Sequence, residues 1–174
     1  MNNEKFIVCH NRDRDNYQIA LALAESDSLH SLITDYYLGA ISGPVGRYLD
    51  RRLNHRQASG LCKEKIIPSL YSIALQYMIG KSPAQLDLMG RSDRHLGKKV
   101  LLEARKNEQA SLFVYSTNAF ESFVSEENRN RRKILFLYHP LPKYIQSIML
   151  QDVLSPGKLM PSSIMESIKP SQID

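Results

Sequence analysis

Short apolar runs separated by polar turns mark the chain as far as residue 140. Four of these runs, at 5–9, 29–34, 112–115 and 134–138, have the length and content of β-strands. Runs that are mostly apolar, rather than strictly alternating, are typical of strands buried on both faces of a parallel sheet. The pattern therefore predicts four parallel strands.

Segments with helical periodicity lie between and after these runs. Helices are predicted at about 15–25, 45–53, 69–79, 118–127 and 143–153, and from residue 92 or 94 to 107. Asp15 and Gln18 have the spacing of a capping box at the start of the first helix. A strand, a helix and a second strand within about 30 residues form the unit of a parallel sheet. The predicted fold class is α/β, a Rossmann-like parallel sheet flanked by helices. It occupies residues 1–153, and the Pro- and Ser-rich residues 154–174 are predicted to form a tail or linker.

The composition is that of an ordinary globular protein. The 174 residues are 43% hydrophobic and 24% charged, and no apolar run is long enough to span a bilayer. The two cysteines, Cys9 and Cys62, give neither a metal-binding spacing nor a disulfide framework, and the N-terminus has no long apolar segment. These features predict a cytoplasmic protein. The formal charge of +5 favours anionic partners without choosing among them.

Polar side chains follow each predicted strand, where ligands bind in open α/β sheets. Asp35 follows the second strand and His139 follows the last. Each candidate also has an interpretation without a ligand. The first loop can be a solvated turn and Asp35 an ordinary turn residue. Asn118 can be a helix N-cap and His139 a strand-end residue. The remaining candidates are His10, Asn11 and Arg12 after the first strand, and Ser116 and Asn118 after the third.

A basic stretch covers residues 47–65, with six lysines or arginines against two acidic residues. Val45, Leu49 and Leu53 lie on one face of the helix predicted there. A basic amphipathic helix adsorbs weakly, and in a salt-sensitive way, to an anionic membrane, although a solvated helix face explains the pattern equally well. Nucleic acid is not expected, because aromatic residues do not alternate with the arginines. The predicted membrane or anion patch consists of Arg47, Arg51, Arg52 and Arg56.

Two stretches together resemble a known family. They are FIVCHNRDRDNYQIALALAESDSLHSLITDYY at 6–37, and ASLFVYSTNAFESF with RKILFLYHPLP at 110–123 and 132–142. They are similar to the N-terminal half of GT-B glycosyltransferases of the retaining class called family four. The resemblance implies transfer of a sugar from a nucleotide-sugar to a sugar or lipid-linked acceptor, in cell-envelope polysaccharide or glycolipid synthesis. It implies that this domain binds the acceptor, with Asp35, Ser116 and Asn118 as the contacts to its hydroxyls. The loop of His10, Asn11 and Arg12 would contact the donor phosphate. His139 would contact the donor sugar and stabilise charge on the leaving group. No metal or other cofactor is expected.

The sequence departs from that family in two ways. Many members have a glycine-rich turn after the first strand, whereas this chain has none there, so Arg12 or Arg14 would have to contact the phosphate. The donor-binding domain, with its two glutamates eight positions apart, does not occur in these 174 residues. We therefore expect a partner chain or further domain to supply it, and little activity without it. The alternatives are a stand-alone nucleotide- or phosphate-binding module and a membrane-associated interaction module.

Overall fold

Five parallel strands form the sheet of the described part of the chain. The computed structural model describes residues 4–79, 81 and 83–137. His139, the predicted helix at 143–153 and the tail at 154–174 lie outside the described residues. The order of the strands is β3-β2-β1-β4-β5, and every neighbouring pair is parallel. This confirms the predicted α/β, Rossmann-like class. The strands are β1 Phe6–Cys9, β2 Leu29–Thr34, β3 Ile66–Pro68, β4 Ser111–Tyr115 and β5 Lys133–Phe136.

The connections between the strands contain helices and short 3-10 turns. No helix among the described residues combines the length and the apolar content that a membrane crossing requires. The 3-10 turns are Arg14–Tyr17, Lys63–Lys65, Ser116–Asn118 and Glu126–Asn128. The helices are α1 Gln18–Glu25, α2 Gly43–Arg52, α3 Leu70–Ile79, α4 Gln85–Lys106 and α5 Phe120–Phe123.

The core consists of two layers, one on each face of the sheet. Alternate residues of a strand point to opposite faces. Ile7 and Cys9 accordingly join the apolar cluster that includes Val100 of α4, while Val8 joins the cluster that includes Ala20 of α1. All four residues of β1 are buried. Burying a Val or Ile side chain is worth about 1.5–3 kcal/mol, so the central strands stabilise the sheet by contacts on both faces.

β3 was not predicted from the sequence. It has only three residues, Ile66-Ile67-Pro68, and pairs with β2 at the edge of the sheet. Proline lacks the N–H that a central strand must donate, and is therefore tolerated at an edge or a strand end. A strand this short also carries too few apolar residues for its pattern to stand out.

Three helix starts or ends differ from the sequence prediction. The capping box at Asp15 is wrong, because Asp15 is left-handed with φ 49° and α1 begins only at Gln18. α4 begins at Gln85, earlier than the predicted start. The sequence did not indicate its first turns because they are largely exposed and show no apolar face. The helix predicted at 118–127 is reduced to the single turn Phe120–Phe123 between two 3-10 turns.

Two glycines of α4 provide a test of the packing between this helix and the loop after β4. A Cβ atom at Gly97 would lie 2.9 Å from the main-chain oxygen of Asn118, whereas a Cβ at Gly90 would meet nothing within 4 Å. Alanine gains about 1 kcal/mol of helix propensity at either position. We expect Gly90→Ala to be stabilising, and Gly97→Ala to have an unfolding free energy about 1–3 kcal/mol lower than Gly90→Ala. Urea unfolding followed by circular dichroism measures both, and equal values would contradict the close contact.

Candidate functional site

The carboxyl ends of β2, β1 and β4 lie side by side at one edge of the sheet. The strand order reverses between β1 and β4, since β2 and β3 follow on one side and β5 on the other. In open α/β sheets, ligands bind in the crevice at this switch point. The loop from His10 to Tyr17, which we call the β1 loop, leaves the sheet there.

Asp35, at the end of β2, is fully buried and makes three polar contacts. Its Oδ1 accepts hydrogen bonds from the main-chain N–H of Arg12 at 2.8 Å and from the Thr34 hydroxyl at 3.2 Å. Its Oδ2 pairs with Nη1 of Arg56 at 2.6 Å. A buried carboxylate is costly unless it is paired and hydrogen-bonded. Through these contacts Asp35 holds the β1 loop and the segment after α2 at the end of β2.

A second carboxylate, Asp93 of α4, fastens the β1 loop on its other side. Its Oδ1 accepts hydrogen bonds from Nδ2 of Asn11 at 2.8 Å and from Nδ2 of Asn118 at 3.0 Å. Asn11 in turn accepts a hydrogen bond from Nε of Arg14 at 2.9 Å. Asn118 is not the N-cap of α5, since Ala119 holds that position. The structure thus brings together Asn11 and Asn118 through Asp93, a residue that the sequence analysis did not single out.

A signal for Asp93 does exist in the sequence. It lies four, seven and eleven positions before Gly97, Val100 and Ala104, which are buried on α4. Residues at these spacings share one helix face, so a carboxylate in this register must approach the sheet. Burial raises the pKa of Asp93, and the hydrogen bond from Asn118 opposes that shift.

His10 is fully buried beneath the β1 loop. Its Nδ1 lies 3.0 Å from the main-chain oxygen of Arg12, and its ring packs 5.3 Å from that of Tyr17 and 5.1 Å from that of Tyr115. Its Nε2 has no hydrogen-bond partner among the described residues. Burial lowers the pKa of His10, against the opposing charge of Asp15. His10 therefore supports the loop as a neutral ring, and of the three loop candidates Arg12 is the one that is exposed and lines the cleft between α2 and α3.

The β1 loop has a strained backbone. Arg12, Asp15, Asn16 and Tyr17 all have φ between 49° and 61°, although none is glycine. Such residues cost of the order of 1–3 kcal/mol each, less for Asn and Asp, and persist only where the surroundings hold them. Here Tyr17 donates a hydrogen bond to the main-chain oxygen of Tyr36 at 3.2 Å, and Asp15 accepts one from the Tyr115 hydroxyl. Strain of this kind concentrates at ligand sites, and its position at the switch point fits that pattern.

A cleft of about 820 Å³ opens between α2, α3 and the β1 loop. This volume lies in the range of small-molecule sites. The predicted apolar face of Val45, Leu49 and Leu53 lines one side, and α3 lines the other. Arg12 and Asp35 also line the cleft, so it reaches the carboxyl edge of the sheet.

The four arginines predicted as one patch are divided between two environments. Arg47 and Arg51 are exposed on α2 and do not line the cleft. Arg52 lines the cleft, with its Cζ 5.5 Å from the centroid of the Tyr48 ring. Arg56 lies beyond the end of α2, and its side chain is only 13% exposed beside Asp35. Ser116, the remaining candidate at this edge, is exposed in the 3-10 turn after β4.

Comparison of the chain with protein-family models, with curated proteins and with solved structures finds no match. In residues 4–79, 81 and 83–137 there is no group of three or more His, Cys, Asp or Glu side chains placed to hold a metal ion. The function of the site has to be inferred from its geometry and from the resemblance of the sequence.

Two substitutions at Asp93 test its part in positioning Asn11 and Asn118. In Asp93→Asn, an amide oxygen can accept both hydrogen bonds without a buried charge, so we expect the unfolding free energy to stay within about 1 kcal/mol of the wild type. Asp93→Ala removes the side-chain oxygen that both amides donate to and should cost about 1–3 kcal/mol. Urea unfolding at pH 7 measures the pair. Equal losses in the two variants would show that the hydrogen bonds contribute nothing.

The buried His10 predicts a loss of stability on mild acidification. Its pKa lies below the ordinary value of 6.5 in the folded chain. Below pH 6.5 the unfolded chain therefore takes up a proton that the folded chain does not, and stability falls by up to about 1.4 kcal/mol per pH unit. We expect unfolding free energies at pH 7.5 and 5.5 to differ by about 1 kcal/mol more in the wild type than in His10→Gln. The other histidines are present in both chains, so comparing the two pH-dependent differences removes their contribution. Identical differences in the wild type and in His10→Gln would contradict the prediction.

Proposed function

We propose that this chain is the N-terminal, acceptor-side half of a GT-B glycosyltransferase. It would take part in moving a sugar from a nucleotide-sugar to an acceptor in cell-envelope polysaccharide or glycolipid synthesis, in the cytoplasm or at the inner face of the membrane. The supporting observation is the cleft at the carboxyl edge of a parallel sheet ordered β3-β2-β1-β4-β5. Together with the resemblance of residues 6–37, 110–123 and 132–142, this edge is where an acceptor would bind.

The β1 loop supports the assignment to the acceptor side. A dinucleotide site of the Rossmann type holds its pyrophosphate on a glycine-rich turn and the N-terminus of the following helix. Here the N–H of Arg12 is already bonded to Asp35, and the N-cap of α1 is Tyr17, which is buried and left-handed. A phosphate cradle of that kind is therefore not formed by the β1 loop. This favours a donor held by another domain, and it weighs against a stand-alone nucleotide-binding module.

The polar groups at the edge have distinct parts in the proposal. Arg12 and Ser116 are exposed and can hydrogen-bond acceptor hydroxyls, while Asn11 fixes the loop that carries Arg12. His139 remains the predicted contact to the donor sugar. There it would stabilise the charge that develops as the nucleoside diphosphate leaves. Arg47 and Arg51, which are exposed on α2, are the members of the basic patch best placed to meet an anionic membrane.

The experiment is a replacement of the codon for His139 by one for alanine in the source cell. We expect one polysaccharide or glycolipid to be lost, and its precursor, one sugar shorter, to accumulate. In an extract of cells from which the gene is deleted, the full wild-type gene product should restore transfer from a labelled nucleotide-sugar. The His139→Ala chain should be about 100-fold slower, the usual loss for one group that stabilises transition-state charge. Arg129→Gln, at an exposed residue outside both the cleft lining and the predicted membrane patch, is the matched control and should restore transfer fully.

Two outcomes would contradict the proposal. An unchanged glycan and glycolipid profile, both in the His139→Ala cells and after deletion of the gene, would exclude a part in sugar transfer. Micromolar binding of a free nucleotide to the chain, together with an unchanged profile, would favour the nucleotide-binding module instead.

A further inference from the structure

The walls of the cleft are apolar but open to solvent. Val45 and Tyr48 of α2 are 55% and 56% exposed, and Leu70 and Tyr77 of α3 are 51% and 59% exposed. All four line the same cleft. Exposed apolar groups that are collected in one place mark a binding surface, whereas scattered ones carry no such meaning. The cleft therefore suits a ligand with a sizeable apolar part.

An aromatic base fits these walls less well than an aliphatic chain. Each of the two tyrosine rings already has a cation over it, Arg52 at 5.5 Å from the Tyr48 centroid and Lys81 at 4.0 Å from the Tyr77 centroid. The remaining apolar lining is aliphatic. It consists of Val45, Leu49, Leu53, Leu70, Ile73 and Ala74.

The polar end of the cleft is suited to an anionic group. Three arginines line it against two aspartates, Asp13 and Asp35, which leaves one net positive charge. Both oxygens of Asp35 are engaged by Arg12 N–H, Thr34 and Arg56, so this carboxylate is already satisfied by the protein and is poorly placed to bind a sugar hydroxyl. Donors, by contrast, remain, because Arg12 and Arg52 are exposed and line the cleft. Guanidinium groups bind phosphate and carboxylate by charge-assisted hydrogen bonds.

We propose that the cleft between α2 and α3 binds a single amphiphile, with its aliphatic chain against the two helices and its phosphate or carboxylate head at Arg12 and Arg52. The inference rests on the proposed function where it takes this amphiphile to be the acceptor. The ligand is one molecule in the cleft and not a bilayer surface, because Arg47 and Arg51 lie outside the lining.

The test is a calorimetric titration of the full 174-residue chain with decyl phosphate, below the concentration at which it forms micelles. We expect one-to-one binding, and binding at least tenfold weaker for decyl β-glucoside, which has the same chain and a neutral head. Arg52→Gln should weaken decyl phosphate binding about tenfold, or 1.4 kcal/mol. Arg51→Gln, one position along α2 and outside the lining, should change it less than twofold. Ala74→Phe should weaken binding by occupying part of the space between α2 and α3.

Arg51, Arg52 and Ala74 are exposed, so these variants should fold, and circular dichroism verifies it. Equal affinity for decyl β-glucoside would overturn the anionic head. Equal losses in Arg51→Gln and Arg52→Gln would show adsorption to a charged surface, and no binding at all would reject the site. These outcomes are separable from failure of the proposed function. A changed glycan profile without decyl phosphate binding keeps the transferase and removes this inference, while binding with an unchanged profile keeps the amphiphile site alone.

Discussion

The carboxyl edge of the sheet depends on the burial of the Asp35 carboxylate. The Asp35 carboxylate has no exposed surface, and burying a carboxylate is costly unless the chain brings a cation and hydrogen-bond donors to it. Arg56 supplies the cation and Arg12 a main-chain N–H. These two contacts draw the segment after α2 and the β1 loop to the same point. Because α2 ends four positions before Arg56, the pair also restricts where α2 can lie, and with it one wall of the cleft.

The β1 loop is held from two sides, which explains how it keeps a conformation that its sequence does not favour. Arg12 is anchored to Asp35, and Asn11, one position earlier, is anchored to Asp93 on α4. The packing of His10 between Tyr17 and Tyr115 fills the space beneath. Four left-handed residues without glycine are tolerated because each anchor restricts the alternatives. The β1 loop therefore forms part of both the cleft and the crevice at the switch point.

The sequence was informative about the sheet and less so about the contacts at its edge. Apolar runs located β1, β2 and β4, and the predicted run at 134–138 overlaps β5, because parallel strands need little more than length and apolar content. The capping box at Asp15 failed because a tertiary hydrogen bond from the Tyr115 hydroxyl competes for that carboxylate, and local spacing does not register a partner 100 positions away. The pairing of Asp35 with Arg56 was hidden for the same reason. Its two members appeared in the sequence as a strand-end residue and as part of a basic helix face.

Recognition at this edge falls to the cleft because the polar groups beneath it are already used. The side chains of Asp35, Asn11 and Asn118 are already hydrogen-bonded to other parts of the protein. His10 is fully buried. A ligand in the cleft therefore meets mainly aliphatic side chains and, at the polar end, three arginines against two aspartates. Affinity for the proposed ligand would come from apolar area and discrimination from the charge of its head, since a neutral head gains no charge-assisted hydrogen bonds from the guanidinium groups. The rigid polar network at the strand ends and the open apolar walls are thus two parts of one site, the first fixing position and the second making contact.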